Sequence, residues 1–480
     1  MTPGVTASRM GLNDSATPTS APWGARLRAF RKDQLGLSQD KFAVKLREAG
    51  AEWGLNIGCD QRLVARWENG DVKMPSQDYI ELLVSLGAPV PAAALDMPES
   101  SAQVGVGSNA LLKPPAASGS FAAVEDVRRA SFLEAVASAT VGSPDSLAPW
   151  LPPFAKGAPI PTKVGIVDVR SLRDITSGLR GLDQRHGGFA VAETAVALLK
   201  SNTGLLAGCR NETTAAKVKV ALADLARLAG WSIHDVGDQD RARRYLALAL
   251  ALARDARSDS GDSLAASTLY VLGRISLFER EPQVALRMFQ LGQIPAQDAS
   301  NSGESARLYM QEAWAHAMMG RERQMKDALA RAEQGIGSVG DTVDPWTQVF
   351  FTAGEFDGNT AVIYNEFALA TDDPILAERY TIAAVDRASA SLVSSSPDRS
   401  PRSLLFDHTT EATGRFRLRD TDSAVQSAAA ALSMTGEVQS ARVVDRLHSM
   451  TTAAAPSLQR NGVRDVCRQV RQLALPGPRT

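Results

Sequence analysis

Apolar residues recur at spacings of three and four along most of this chain, as they do in helices that each bury one stripe. Near the N-terminus, Leu27, Phe30 and Leu35 form the apolar side of an opening helix. Ser38 is placed to cap a second helix, in which Phe42 and Leu46 stand one turn apart. A third helix is predicted between Asp60, a good N-cap, and Gly70, a good stop. Leu63, Val64 and Trp67 share one face of it, and Gln61, Arg62, Ala65 and Arg66 share the other. Ser76 caps a further helix, Tyr79 to Leu86, whose Ile80, Leu83 and Leu86 complete a small core before Gly87 and Pro89 end it.

The third helix has two readings. One is an ordinary amphipathic surface helix with its charges in water. The other is a helix that enters the major groove of DNA, where Gln bonds adenine in two places and Arg does the same to guanine. Each good pair of this kind gives roughly 1–3 kcal/mol of discrimination. The neighbouring charge favours the second reading. Arg26, Arg28, Arg31, Lys32, Lys41, Lys45 and Arg47 stand in one short stretch against only Asp33 and Asp40. That local excess can neutralise phosphates, although residues 24–87 as a whole are almost balanced.

Taken together, Leu27-Arg-Ala-Phe-Arg-Lys32, Gly36-Leu-Ser-Gln39, Val64-Ala-Arg-Trp-Glu-Asn-Gly70 and Pro75 resemble the XRE family of helix-turn-helix proteins, that of the lambda and 434 repressors and Cro. The resemblance covers about residues 24–88. It implies that Gln39 caps its helix and anchors at the phosphate backbone, and that Gln61, Arg62 and Arg66 face the bases. Ala65, Lys41 and Lys73 join them in the implied DNA-binding set. Glu68 is implied to pair with a basic residue of the first helix, Arg31 or Lys32. One feature departs from the family. Gln39 and Gln61 are separated by about eleven residues more than its pattern, whose turn is only about 3–4 residues. Residues Arg47 to Ile57 therefore form either an extended loop or a lengthened second helix. Trp53 within them either plugs the small core or touches the DNA backbone.

Residues 1–20 carry little to bury and are expected to be a disordered tail, followed by the helix-turn-helix domain at 21–88. Residues 89–120, rich in Pro, Ala, Ser and Gly, are read as a flexible linker. Gly105-Val-Gly107-Ser-Asn-Ala110 within it matches a dinucleotide fingerprint in form only, because no strand precedes it. Residues 121–164 are expected to be a helix plus a Pro-rich connector. Arg128-Arg-Ala-Ser-Phe-Leu133 is similar to a twin-arginine export signal, but such signals act at an N-terminus and not behind a folded domain. It is read as a helix with a basic start.

From Ile166 the helical pattern is nearly continuous and repeats internally. Ala242 and Ala249, Ala285 and Gly292, Met325 and Ala332, Ala377 and Ala384, and Ala424 and Ala431 form small or slim pairs seven apart. Most follow a polar turn, such as Gly237-Asp-Gln-Asp240 or Arg419-Asp-Thr-Asp422. Bulky residues such as Tyr245, Phe289 and Tyr380 stand three or four beyond the first of each pair, so that antiparallel helices can approach closely and still fill the groove between them. This pattern resembles degenerate tetratricopeptide (TPR) repeats over roughly 165–450, within a repeat domain placed at 165–472, with Trp231 to Ala253 the best copy. Successive anchors lie 43, 40, 52 and 47 residues apart, against about 34 for the standard repeat. A generic α-solenoid is the alternative. Leu179 to Phe189, with His186 beside two glycines, is read as a structural turn.

Composition narrows the classes. A net charge of −1 gives the chain no global pull towards nucleic acid or acidic membranes, so any DNA affinity must be local. Three distant cysteines suit a reducing cytoplasm and argue against a disulfide framework or a zinc knuckle. No apolar run reaches the roughly 18 residues of a membrane span. No nucleophile–base set, metal set or phosphate loop stands out, so neither an enzyme nor a cofactor is expected. The expectation is therefore an all-α protein, with a small N-terminal helix-turn-helix domain joined by a flexible linker to a TPR-like α-solenoid. The combined resemblance, to large actinobacterial XRE-type regulators, implies a cytoplasmic, nucleoid-associated homodimer that binds double-stranded DNA. It implies negative regulation of differentiation or secondary metabolism. The two-part architecture also resembles, more loosely, peptide-responsive regulators of Gram-positive bacteria, which implies a peptide or protein effector on the array. The alternative is an interaction scaffold with a head that does not bind DNA.

Overall fold

The computed structural model describes residues 22–52, 58–72, 75, 79–80, 83, 86, 88–89, 91, 121–152, 161, 163–336, 344, 346, 353–394 and 399–473. Among these every regular element is helical and none is a strand, so the protein is all-α. No described helix is long and apolar enough to cross a membrane. The tail at 1–20, nearly all of the linker at 89–120, Trp53 and Lys73 lie outside the described residues. The chain divides into two compact units, Met1–Ala116 and Ala117–Thr480.

In the N-terminal unit, α1 (Trp23–Ala29) runs on into a wider turn at Phe30–Gln34, and α2 (Gln39–Glu52) and α3 (Gln61–Asn69) follow. Leu27, Phe42, Leu46, Val64 and Trp67 are buried together, and Trp67 meets Tyr79 edge-on at 5.1 Å. Gly24 lets α1 press against the end of α3, since a Cβ there would lie 2.3 Å from the Trp67 carbonyl oxygen. The long connection is partly helix, because α2 continues to Glu52. Beyond it, Arg47 donates to the Cys59 carbonyl and ties the incoming chain back to α2. Burial pushes the Cys59 thiol up to about 11, so this cysteine is a core residue with little thiolate character.

The second unit begins with α4 (Phe121–Val141) and a 3-10 turn at Pro144–Trp150, where Phe132 and Trp150 meet edge-on at 4.9 Å. Then come α5 (Ile166–His186), α6 (Ala192–Asn202), α7 (Glu212–Val236), α8 (Gln239–Asp255), α9 (Asp259–Phe278), α10 (Pro282–Asp298), α11 (Ser302–Met318) and α12 (Glu322–Ile336). The last six are α13 (Ala353–Ala370), α14 (Pro374–Val393), α15 (Pro401–Arg417), α16 (Thr421–Ser433), α17 (Ala441–Ala454) and α18 (Asn461–Gln472). Consecutive helices pack in pairs, and α4 shares the apolar cluster that runs on as far as Tyr380. A second cluster joins α15 to α18.

The same local design recurs in these pairs. Gly237, Arg280, Gly320 and Arg419 each adopt positive φ between two helices, five positions ahead of Ala242, Ala285, Met325 and Ala424. The left-handed residue stops one helix and turns the chain into the next. Twelve positions ahead of the same four anchors stand Gly230, Gly273, Ala313 and Ala412, all buried. Each pair of helices therefore has a slim residue on both sides. At Gly273 the neighbouring helix comes so close that a Cβ would sit 2.2 Å from the Phe289 ring. The Asn365–Ala377 pair departs from this design, with both residues only half-buried.

The run of pairs closes on itself through polar contacts. Asp235, near the end of α7, is fully buried and accepts four hydrogen bonds: from Gly188 N–H at 2.9 Å, Arg402 Nη1 at 3.1 Å, Ser440 Oγ at 2.7 Å and Arg442 Nε at 2.7 Å. Arg402 also donates to Asp183 at 3.1 Å, across 219 positions of sequence. Gly187 allows the same junction at the backbone level. It has φ of 86°, a Cβ on it would lie 2.2 Å from the Gln439 carbonyl oxygen, and Gln439 N–H donates to the His186 carbonyl at 3.0 Å.

His234 lies beside this junction, fully buried between Trp231 and Phe278. Gln239 Nε2 donates to the His234 carbonyl at 3.4 Å, which leaves Gln239 Oε1 to accept from His234 Nδ1 at 2.6 Å. Burial first, and then the charge of Arg442, push this imidazole down to about 3. The unfolded chain therefore takes up a proton near pH 6.5 that the folded one refuses. Its stabilisation is complete above about pH 6.5 and declines as the pH falls towards 3. Between about pH 7.5 and pH 5 the loss from this residue is about 2 kcal/mol. Unfolding curves of native and His234→Gln proteins over that range check this. The variant is expected to show a flatter pH dependence by that amount, and parallel curves would exclude it.

Candidate nucleic-acid interface

The candidate surface is the front of α3. Asp60 accepts from Leu63 N–H at 2.8 Å and starts the helix, and Gly70 ends it with φ of 83°. Residue period then decides what faces where. Val64, Trp67 and Glu68 are buried, Leu63 and Ala65 are half-buried, and Gln61, Arg62 and Arg66 are exposed. Among the described residues no hydrogen bond or ion pair engages the side chains of Gln61, Arg62 or Arg66. Two guanidinium groups and one amide are thus displayed on a helix whose opposite side is fixed by packing.

A buried polar key holds that helix in place. Glu68 accepts from Arg31 Nε at 2.5 Å and Nη2 at 3.0 Å, and from Gln39 Nε2 at 2.8 Å. Arg28 adds a longer contact at 3.3 Å and also donates to Asn69 at 2.7 Å. Arg31 reaches the Leu37 carbonyl as well, at 2.6 Å, and so joins α1, the start of α2 and α3. Burial opposes the Glu68 charge, but the hydrogen bonds from Arg31 and Gln39 overcome it and keep the carboxyl below its usual range.

Of the two basic residues open to Glu68, Arg31 is the one beside it, while Lys32 is exposed. Gln39 is turned towards Glu68, and Lys41 is exposed at the start of α2, where its N–H donates to Ser38 Oγ at 3.2 Å. Arg28 is a second clamp on α3. Its only sequence signal is a position one turn ahead of Arg31 and Lys32. No family model, curated protein or solved structure matches this chain.

Proposed function

We propose that this protein is a sequence-specific DNA-binding regulator of transcription, its N-terminal unit a helix-turn-helix of the XRE type and its second unit a TPR-like array. The observation that carries this reading is α3, with Gln61, Arg62 and Arg66 exposed on the face opposite buried Val64 and Trp67. Such a helix suits direct readout in a major groove. The recurring left-handed turns and slim residues support a repeat array, which would present a surface for a peptide or protein effector. In this reading the protein acts as a homodimer on double-stranded DNA in the cytoplasm, as a negative regulator of differentiation or secondary metabolism.

The test is binding of full-length protein to genomic fragments over a salt series, beside Arg62→Ala/Arg66→Ala. Native protein is expected to select fragments sharing one motif. The folded double variant is expected to lose about 2–6 kcal/mol of that preference while keeping weak, salt-sensitive binding. The second reading is an interaction scaffold. It is favoured by the commitment of Arg28, Arg31 and Gln39 to contacts within the protein. Selection of no fragment at any salt would support it and defeat the first.

A further inference from the structure

Helices α7, α9, α11, α13, α15 and α17 line a partly open cavity of about 90 Å³, ample for a group the size of several waters. Its lining is unusually cationic. Arg274 of α9 and Arg442 and Arg446 of α17 all border it. Aromatic faces hold these guanidinium groups. Arg274 lies 4.4 Å from the centre of the Trp314 ring, Arg442 4.4 Å from Trp231, and Arg446 4.3 Å from Phe406. Stacking of this kind fixes the plane of the group and leaves its N–H edge open for planar, bidentate bonds.

That edge is used only in part. Arg442 is 7 % exposed, its Nε donates to Asp235, and its buried Nη2 has no partner among the described residues. Arg274 Nη1 donates to the neutral Gln311 amide at 2.8 Å, and its Nε is likewise buried without a partner. Among the described residues no carboxylate forms a salt bridge with Arg274 or Arg446. The acidic residues of the lining do not cancel this charge, for Glu366 pairs with Arg280 at 2.8 Å and Asp445 is exposed. Burial first, and then the neighbouring arginines, push Arg274 down to about 10 and Arg446 to about 9. His234 adds a fully buried Nε2, also unpartnered, which accepts because Nδ1 carries the proton.

We propose that this cavity is a binding site for a compact oxyanion, the phosphate or carboxylate group of a small organic molecule, held by Arg274, Arg442 and Arg446. Two or more guanidinium edges match the oxygens of such a group, and a hydroxyl on the same molecule has an acceptor in His234. The inference goes beyond the DNA reading and stands without it, since every residue belongs to the second unit.

The test is calorimetric titration of the full-length protein with inorganic phosphate and, separately, with citrate, in buffer free of both. Saturable binding of at least one is expected. It should weaken about tenfold or more in Arg446→Met and in Arg274→Met, and stay unchanged in Arg323→Met, a substitution at the protein surface. Arg446 makes no hydrogen bond to a described residue, so its variant is expected to fold, and Arg274→Met is the independent second probe. Binding of phosphate alone points to a phosphate ester, and binding of citrate alone to a carboxylate. No saturable binding of either anion, or equal binding by native protein and both cavity variants, overturns the proposal.

Discussion

Replacing Asp235 with alanine is expected to lower the unfolding free energy of the helical array by about 3–5 kcal/mol, the scale for breaking a buried ion pair from one side. The carboxylate is fully buried and holds Arg402, Arg442, Ser440 and the Gly188 N–H at once. Without it, among the described residues Arg442 is left buried with no carboxylate and Arg402 keeps only Asp183. Burial alone would disfavour this charge, yet the two arginines and two further donors hold the carboxyl well below the ordinary range. The Asp235 charge therefore stabilises the fold at neutral pH, and its contribution fades only in strong acid. Urea unfolding followed by circular dichroism checks the value. A loss under about 1 kcal/mol, the scale of an ordinary exposed pair, would show that the junction is not an energetic keystone.

Glu68→Ala is expected to have a comparable effect in the other unit, with a different outcome. Arg31 is 4 % exposed, and it would lose its only carboxylate among the described residues. A loss of about 3–5 kcal/mol is most of what a unit of this size commonly has. The N-terminal unit should therefore unfold at temperatures where the array is intact. Differential scanning calorimetry is expected to show an early transition absent from the native protein. Proteolysis should then cut within residues 22–72 while sparing the array. Glu68→Gln, which keeps acceptor and shape, should fall between the two. A single unshifted transition in Glu68→Ala would mean that Arg31 finds water or another partner at little cost.

What the sequence made legible was local. Asp60, Gly70, Ser38 and the alternation of Val64 and Trp67 with Gln61, Arg62 and Arg66 act within a turn or two, where the helical period alone decides exposure. The slim residues of the array were readable for the same reason. The inward turn of the Gln39 amide and the second clamp from Arg28 depend on how two helices cross, over 29 and 41 positions. The array junction lies further out of reach. Arg442 and Asp235 are 207 positions apart, and nothing periodic links them. His186-Gly-Gly could be read as a turn, but not as the place where Gln439 docks. The cavity arginines had the same difficulty. Singly, each resembles a solvated charge on an amphipathic helix, and only the stacking of alternate helices gathers them.

The Gly187–Gln439 seam and the Asp235 junction also bear on how such a chain can change over time. Open helical arrays lengthen and shorten by whole units, because each unit touches only its neighbours. Here the first and last pairs must meet, so the number of pairs behaves like the number of links in a buckled belt. Descendants of this protein are free to drift in loop length and surface charge, while gain or loss of a whole pair would leave the clasp open.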